Sequence, residues 1–525
     1  MSRTEAAHQL SRRRFLLASG SMLAGATVAA CAPLPAGSTV PADPGRSAPV
    51  AELVIANEAE PPDLLPFVSG FGGWLIDRGI YETLAENRIT ISSDGIAQNN
   101  WVPRLAVRWE RPEPTRWRFF LRRGVTFHNG EVWNAQAAKA SFDALADRNQ
   151  AARLKKTAIL ARFAGAEVVD DETIDILTRQ PDTEALSYLR IGLVALPPRL
   201  LAEKGIESLA ENPVGTGPFR FVRWLRGQEI RLERNPTHWN PNATNLTVVR
   251  HLFRPEAAVR AQMIRAGEAG FAYNIGSELG ASLKQVVVGG GFQSSGIRLN
   301  NQIPPTNDVR VRRALNLAID RQAIAQSIFR GAATPIAFFG FQPVRLEPFP
   351  YRPDEARRLI EEAGVRGQTL EFVYGETRIP EEDQLAEVYK NAFEAIGLRI
   401  VLRKVEPRQY NEIGTRPFPE QPPLYLETTS QGNYGEIAGG LMDKYGSQGT
   451  GTFARPEYDA EFARLAALEG PERLALLQRL AEQLHREEVP RVWVVAVRQV
   501  HGLAENVRSN VPANAYILVE DLRLA

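Results

Sequence analysis

The chain has 525 residues with 62 Lys or Arg against 61 Asp or Glu, a balance that provides no basic surface for nucleic acid and excludes that class of partner. A chain of this length is expected to form two or three lobes rather than one core. Its single cysteine cannot form an intrachain disulfide, and no two of its six histidines have metal-site spacing, so we predict no metal and no cofactor.

Residues 1–30 have the pattern of a removable export signal. The basic segment SRRRFL (11–16) precedes an apolar run that is too short to span a bilayer and stops at VAAC (28–31). Arg12 and Arg13 resemble the pair of a twin-arginine signal, and VAAC resembles a bacterial lipobox. We predict that Cys31 is lipidated and begins the mature chain. The alternative is an ordinary secretory signal.

Residues 31–50 are rich in Pro, Ala, Gly and Ser and are predicted to form a tether. No apolar run of membrane-spanning length follows them. The body of the protein is therefore expected outside the cytoplasm, in the periplasm or its equivalent, and held at the membrane by its lipid alone.

The elements beyond the tether alternate between strands and helices. A strand is predicted over 117–121, followed by turns at Gly124 and Asn129-Gly130 and by a helix that Asn134 caps. Strands at 219–224 and 229–233 form a predicted hairpin around Gly227.

Residues 354–405 read as helix, strand, helix and strand, which is a βαβ unit. Helices at 458–468 and 471–486 precede an apolar central strand at 492–497. The predicted fold class is α/β or α+β.

Motifs of catalysis are missing from the sequence. No Gly-x-Ser-x-Gly elbow occurs. Gly215-Thr216-Gly217 is followed by Pro218 and a predicted strand, whereas a phosphate-binding loop must open a helix. We interpret this segment as a turn and predict that the protein is not an enzyme.

Four blocks resemble the family 5 solute-binding proteins, the peptide- and nickel-type receptors of bacterial ABC importers. They occur in the family's order and spacing: WVPRLAVRW (101–109) with WRFFLRRGVTFHNGE (117–131), VGTGPF (214–219) with RNPTHW (234–239), DVRVRRA (308–314), and AIDR (318–321). The resemblance covers residues 51 to 525.

The resemblance implies a two-lobe periplasmic-binding-protein fold that closes over its ligand. Lobe I would comprise residues 51–291 with a subdomain inserted at about 67–185, lobe II would comprise 292–487, and 488–525 would return to lobe I. It also implies a permease and ATPase complex as partner, and a monomer is expected.

Peptide-binding members carry a Trp-x-x-Asp segment whose aspartate pairs with the ligand ammonium. The corresponding segment here is Thr428-Thr429-Ser430-Gln431, which lacks both residues. Arg298 stands where such members can present a glutamate, and Arg416 matches one of their cleft arginines. These differences favour a carboxylate or phosphate group on the ligand.

Further ligand-binding residues are expected on the same grounds, although each could instead have a purely structural role. They are Glu60, in the loop that matches the family's entry to lobe I, and the aromatic residues Trp74, Tyr425 and Tyr434, with Thr428 and Gln431 from the altered segment.

The sequence therefore predicts a lipid-anchored binding protein that delivers a small organic solute, by default a short peptide, to an ABC importer. One alternative is an opine-like or amino-acid conjugate that is anionic. Another is a sensor or chaperone on the same scaffold. Nickel and haem transport are disfavoured because no histidine lies in the segments assigned to the cleft.

Overall fold

The computed structural model describes residues 51–66, 74–91, 97–147, 149, 160–339, 344–375, 379–414, 416–417, 420–430, 437–447, 453, 455–510 and 517–525. The predicted lipidation residue Cys31 and the predicted export residues Arg12 and Arg13 lie outside this part of the chain, as do Gln431 and Tyr434.

The described residues contain an eleven-stranded mixed sheet that forms the framework of the molecule. Ten of its strands follow one path, and the eleventh, Ala333–Pro335, pairs with Arg491–Leu503 beside it. In spatial order the ten are Phe219–Leu225, Glu229–Arg234, Val248–Phe253, Glu52–Asn57, Phe271–Ala272, Arg491–Leu503, Val286–Leu299, Leu424–Ser430, Thr369–Tyr374 and Arg399–Lys404.

Two long antiparallel strands connect the halves of this sheet. Residues 286–288 pair with 500–502 on one side, residues 292–298 pair with 491–498 on the other, and the register is interrupted between them. The larger hydrophobic core draws on residues 53–273 and 503–522, whereas a second core draws on residues 297–497. The halves are therefore two lobes, called lobe I and lobe II below.

A second sheet of four antiparallel strands lies within the sequence of lobe I. Its spatial order is Ala106–Glu113, Arg116–Leu121, Thr173–Thr178 and Phe163–Asp170. Short two-stranded pairs join Ala85–Asn87 to Trp101–Pro103, Thr90–Ile91 to Ala97–Gln98, and Val507–Ser509 to Leu522–Leu524.

Helices cover both lobes. Those described are Trp74–Ile80, Ala135–Ala146, Ala185–Gly192, Pro198–Lys204, Ala257–Arg265, Ser277–Gly280, Val309–Leu317, Arg321–Ser327, Pro353–Glu362, Glu382–Ala395, Pro407–Gly414, Ile437–Tyr445, Pro456–Ala467 and Gly470–Glu482.

The local predictions are confirmed where the structure describes them. Asn134 caps its helix, since its side chain accepts a hydrogen bond from the N–H of Ala137. The predicted hairpin is antiparallel and the predicted βαβ strands are parallel. The predicted apolar strand is central and extends over Arg491–Leu503.

The Gly215-Thr216-Gly217 segment is a turn, as predicted, and it packs tightly on the backbone of residues 79–80. The N–H of Gly217 donates to the carbonyl of Ile80 at 2.8 Å, and the side-chain amide of Asn235 donates to the carbonyl of Gly217 at 3.1 Å. The chain then enters the strand Phe219–Leu225. Glycine is needed here for close approach of two backbones rather than for phosphate.

Acid should destabilise lobe I through His251. This fully buried imidazole accepts a hydrogen bond at Nδ1 from the Asn57 amide at 3.2 Å, and burial lowers its pKa to about 3. Because the folded pKa lies below the unfolded value of about 6.5, the stability contribution is present above pH 6.5 and is lost as pH falls toward 3.

We expect the wild-type protein to lose about 1.5 kcal/mol more than His251→Gln between pH 6.5 and pH 5, because glutamine keeps the acceptor but does not titrate. Urea titrations monitored by circular dichroism at both pH values measure this difference. Identical pH dependence of the two proteins would contradict the assignment.

Candidate functional site

The candidate site is the region between the lobes, next to the carboxyl ends of the parallel strands of each lobe. In lobe I, Glu52–Asn57 runs parallel to Val248–Phe253 and Phe271–Ala272. In lobe II, Thr369–Tyr374 runs parallel to Arg399–Lys404 and Leu424–Ser430. Open sheets with parallel strands bind ligands beyond these carboxyl ends.

One hydrogen bond shows that a segment following a strand of lobe I is in contact with a segment following a strand of lobe II. The backbone N–H of Ser277, shortly after Phe271–Ala272, donates to Oε1 of Glu381, shortly after Thr369–Tyr374, at 3.0 Å. Both residues are buried, and burial raises the pKa of the Glu381 carboxyl. The two lobes therefore meet here through a buried carboxylate and a backbone donor.

Glu60 is held by the hairpin of lobe I. Its Oε1 accepts hydrogen bonds from Nε1 of Trp224 at 2.7 Å and from the N–H of Gly227 at 2.9 Å. The carboxylate therefore braces the hairpin turn, and its predicted contact with a ligand stays a prediction.

Buried charges gather in lobe II around Glu427. Its carboxylate pairs with Arg491, with Nη2 of Arg298 at 3.3 Å, and with Nζ of Lys444 at 3.6 Å. All four side chains are at most 10% exposed. Lys444 also lies 3.8 Å from the half-exposed carboxylate of Asp443. These ion pairs join three cations to two carboxylates among the described residues. We call the set of Glu427, Arg298, Arg491 and Lys444 the Glu427 cluster.

Arg298 has further partners that fix its position. Nη1 donates to the carbonyl of Gly414 at 2.8 Å and to Oε1 of Gln421 at 3.1 Å. Burial and the neighbouring Arg298 guanidinium lower the pKa of Arg491 below its ordinary value. The cluster is thus a desolvated group of charges in which Arg298, Arg491 and Lys444 share the carboxylate of Glu427.

Arg416 is exposed and connected to Arg298 through one side chain. Its carbonyl accepts a hydrogen bond from Nε2 of Gln421 at 2.7 Å. Oε1 of the same Gln421 side chain accepts a hydrogen bond from Nη1 of Arg298. The structure therefore brings the two predicted arginines into one region of lobe II.

Tyr425 lies inside lobe II. Its ring stacks on Tyr410 at 4.4 Å between centroids, its hydroxyl donates to the carbonyl of Tyr410 at 2.8 Å, and Arg298 lies 4.7 Å above its ring. Its shown role is to support Arg298.

Thr428 lies one residue beyond Glu427 on the same strand and pairs with Ser295. Its side chain is buried, and within the described residues its Oγ1 has no hydrogen-bond partner. Since successive residues of a strand point to opposite faces, Thr428 and Glu427 serve different sides of the sheet.

Trp74 lies in the core of lobe I and is 6% exposed. The guanidinium of Arg78 is 4.1 Å from the centre of its ring, and that of Arg190 is 5.6 Å away. These cation–π contacts give it a packing role in this structure.

Sequence reasoning missed Glu427, Lys444, Arg491 and Glu381. The available signal was weak: Glu427 is the charged residue inside the otherwise uncharged strand LYLETTS, and Arg491 starts the apolar central strand. Charged groups in such strands require partners, which only the fold can identify.

Within the described ranges, no three His, Cys, Asp or Glu side chains are grouped as a metal site would require. In the same ranges, none of the helices has the length and apolar character needed to cross a membrane.

Two lobes joined by two long crossing strands are the architecture of the two-lobe class of binding proteins. The model of the bacterial extracellular solute-binding proteins, family 5 (Middle), matches residues 100–451. The chain belongs to this family and is an extracellular solute-binding protein, which confirms the resemblance and the fold class.

Curated relatives agree with this membership, and a solved structure agrees with the fold. The glutathione-binding protein GsiB of Salmonella choleraesuis is 25% identical over 84% of this chain and 85% of its own. A putative ABC transporter peptide-binding protein of Brucella ovis is 30% identical over 60% of this chain and 62% of its own. A dipeptide-binding protein from Pseudoalteromonas sp. SM9913, solved with Met-Leu, is 19% identical, with a TM-score of 0.75 over 90% of this chain and 100% of that one.

Proposed function

We propose that the protein is exported, lipidated at Cys31 and monomeric, and that it captures a short peptide by closing its lobes and delivers it to an ABC permease and ATPase. The relatives named for glutathione and peptide binding support the ligand class. The contact of the two lobes through Ser277 and Glu381 supports capture between the lobes. The protein binds its solute without chemical change.

A second candidate ligand is an anionic amino-acid conjugate of the opine-like kind. The Glu427 cluster supports it, because it places Arg298, Arg491 and Lys444 together in the interior of lobe II, where a buried cation pairs strongly with a carboxylate. The absence of an aspartate from residues 428–431 also removes the expected partner of a peptide ammonium. An acidic peptide and an acidic conjugate share the carboxylate that this environment favours.

Within this proposal, Arg298 and Arg416 serve the anionic group of the ligand. Thr428 and Gln431 replace the Trp-x-x-Asp contact, Glu60 meets the ligand from lobe I, and Tyr434 flanks it. Trp74 and Tyr425 support the site from the lobe interiors, as their burial favours.

Native mass spectrometry of the protein lacking residues 1–31, after gentle purification, tests the ligand class directly. A mixture of co-purified peptide masses supports the peptide assignment, whereas one non-peptide mass supports the conjugate. If no solute is retained and a membrane-fraction uptake assay shows no transport, the proposal of an importer component is wrong and a sensor or chaperone is favoured.

Arg298→Gln should weaken binding of acidic ligands at least about ten-fold, because a hydrogen bond to a charged group is lost. Calorimetric titration with short acidic peptides and with their C-terminally amidated forms measures the effect. The amidated forms should lose less affinity. Arg408→Gln, at an exposed arginine paired with Glu412 in the same lobe, is the matched control. Equal losses for both peptide forms would contradict the role of Arg298.

A further inference from the structure

Two buried carboxylates, one in each lobe, accept hydrogen bonds from the backbone of the opposite lobe. Glu184 of lobe I accepts hydrogen bonds from the backbone N–H groups of Ala438 at 3.1 Å and Gly439 at 3.3 Å in lobe II. Glu381 of lobe II accepts the N–H of Ser277 in lobe I. The two glutamates are 6% and 7% exposed, so both contacts are shielded from water.

An arginine of lobe II strengthens the first contact. Arg473 forms an ion pair with Glu184, and its Nη1 donates to Oγ1 of Thr183 at 3.0 Å. The N–H of Thr183 in turn donates to the carbonyl of Ala466 at 3.0 Å. Residues 183–184 are therefore joined to three separate helical segments of the other lobe.

The fit around Gly439 shows how closely the lobes approach. A Cβ atom at this position would overlap the hydroxyl of Tyr188 in lobe I. Only glycine allows the start of the helix Ile437–Tyr445 to come within hydrogen-bonding reach of Glu184 while Tyr188 occupies this place.

We propose that Glu184 and Glu381 are positioning residues that hold the lobes closed and so set the affinity for the solute. This inference rests on one part of the proposed function, which is that the lobes open and close. Separating the lobes would remove the backbone donors from both carboxylates and break the Glu184–Arg473 pair. Any interaction made in one state alone shifts the balance between open and closed protein, and ligand affinity follows the closed fraction.

Disulfide trapping measures this balance without a ligand. Thr183→Cys and Ala466→Cys, introduced into the protein lacking residues 1–31, would be its only cysteines. Their backbones are in direct contact across the lobes, since the N–H of Thr183 donates to the carbonyl of Ala466 at 3.0 Å. The initial rate of cross-linking under excess oxidant is therefore proportional to the closed fraction.

Adding Glu184→Gln or Glu381→Gln to this protein should slow trapping at least about five-fold, because a charge-assisted hydrogen bond is weakened in the closed state alone. Glu131→Gln is the matched control. Glu131 is also buried and accepts two backbone N–H groups, from Arg199 at 2.7 Å and Leu200 at 3.2 Å, but within lobe I. It should lower the melting temperature without changing the trapping rate.

Unchanged rates in both variants, or equal slowing by Glu131→Gln, would overturn the inference. If Glu184→Gln does not fold, Arg473→Gln breaks the same ion pair from a partly exposed position and should also slow trapping. A failure of peptide binding would leave the trapping rates intact, so the proposed function and this inference can fail separately.

Discussion

Replacing Glu427 with glutamine should lower the free energy of unfolding by about 3–5 kcal/mol, since removing one partner of a buried ion pair leaves its opposite charge buried. Glu427 is the carboxylate that Arg298, Arg491 and Lys444 share. Glutamine preserves the size of the side chain, so the expected loss is electrostatic rather than a packing effect. Urea denaturation followed by tryptophan fluorescence and circular dichroism measures it.

A double variant separates the charge effect from local damage. Glu427→Gln combined with Arg491→Gln should be more stable than Glu427→Gln alone, because fewer cations then repel each other in the lobe. Glu412→Gln, which breaks an exposed pair with Arg408 in the same lobe, should change stability by less than about 1 kcal/mol. A Glu427→Gln protein as stable as the wild type would show that the carboxylate does not neutralise the cluster.

Gly217→Ala should destabilise lobe I by at least about 3 kcal/mol, because the added methyl group has no space. A Cβ at Gly217 would lie 2.6 Å from the carbonyl oxygen of Ile80 and would also overlap the carbonyl oxygen of Gly79. These are backbone atoms, so a side-chain rotation cannot relieve the overlap. A lower urea midpoint with ligand binding retained by the remaining folded protein is the expected observation.

Gly165→Ala is the control for this substitution. Gly165 also lies in lobe I, but a Cβ there would meet no heavy atom within 4 Å. Its effect should stay within about 0.5 kcal/mol, as for an unconstrained surface change. If both alanine variants were equally stable, the turn would have moved away from residues 79–80 in Gly217→Ala at little cost. Close backbone packing would then not be the reason that glycine is required at position 217.

Local structure was predicted correctly from the sequence where interactions between residues close in the chain determine it. Asn134 begins a helix because its side chain can accept from an N–H three residues later. The periodicity of residues 354–405 gave the parallel pair Thr369–Tyr374 and Arg399–Lys404. Pro218 excluded a phosphate-binding loop, and the chain does enter a strand at Phe219.

The candidate site followed the sequence less completely. Arg298 and Arg416 were placed by resemblance, and the structure joins them through Gln421. The partners Glu427, Lys444 and Arg491 come from two strands and a helix separated by up to 64 residues in the chain. A local sequence pattern cannot predict these ion pairs, because they depend on which strands become neighbours in the sheet.

The sequence by itself determined the family, the α/β class, several helices and strands such as those of residues 354–405, and the expectation of export and lipidation at Cys31. These properties depend on side-chain types at short spacing, which a linear chain displays directly. Only the tertiary structure decided that Glu427 lies among three cations, and that Glu184 and Glu381 reach backbone donors of the opposite lobe. A buried charge is stable only beside partners that folding brings from distant parts of the chain, so its role is decided by the fold.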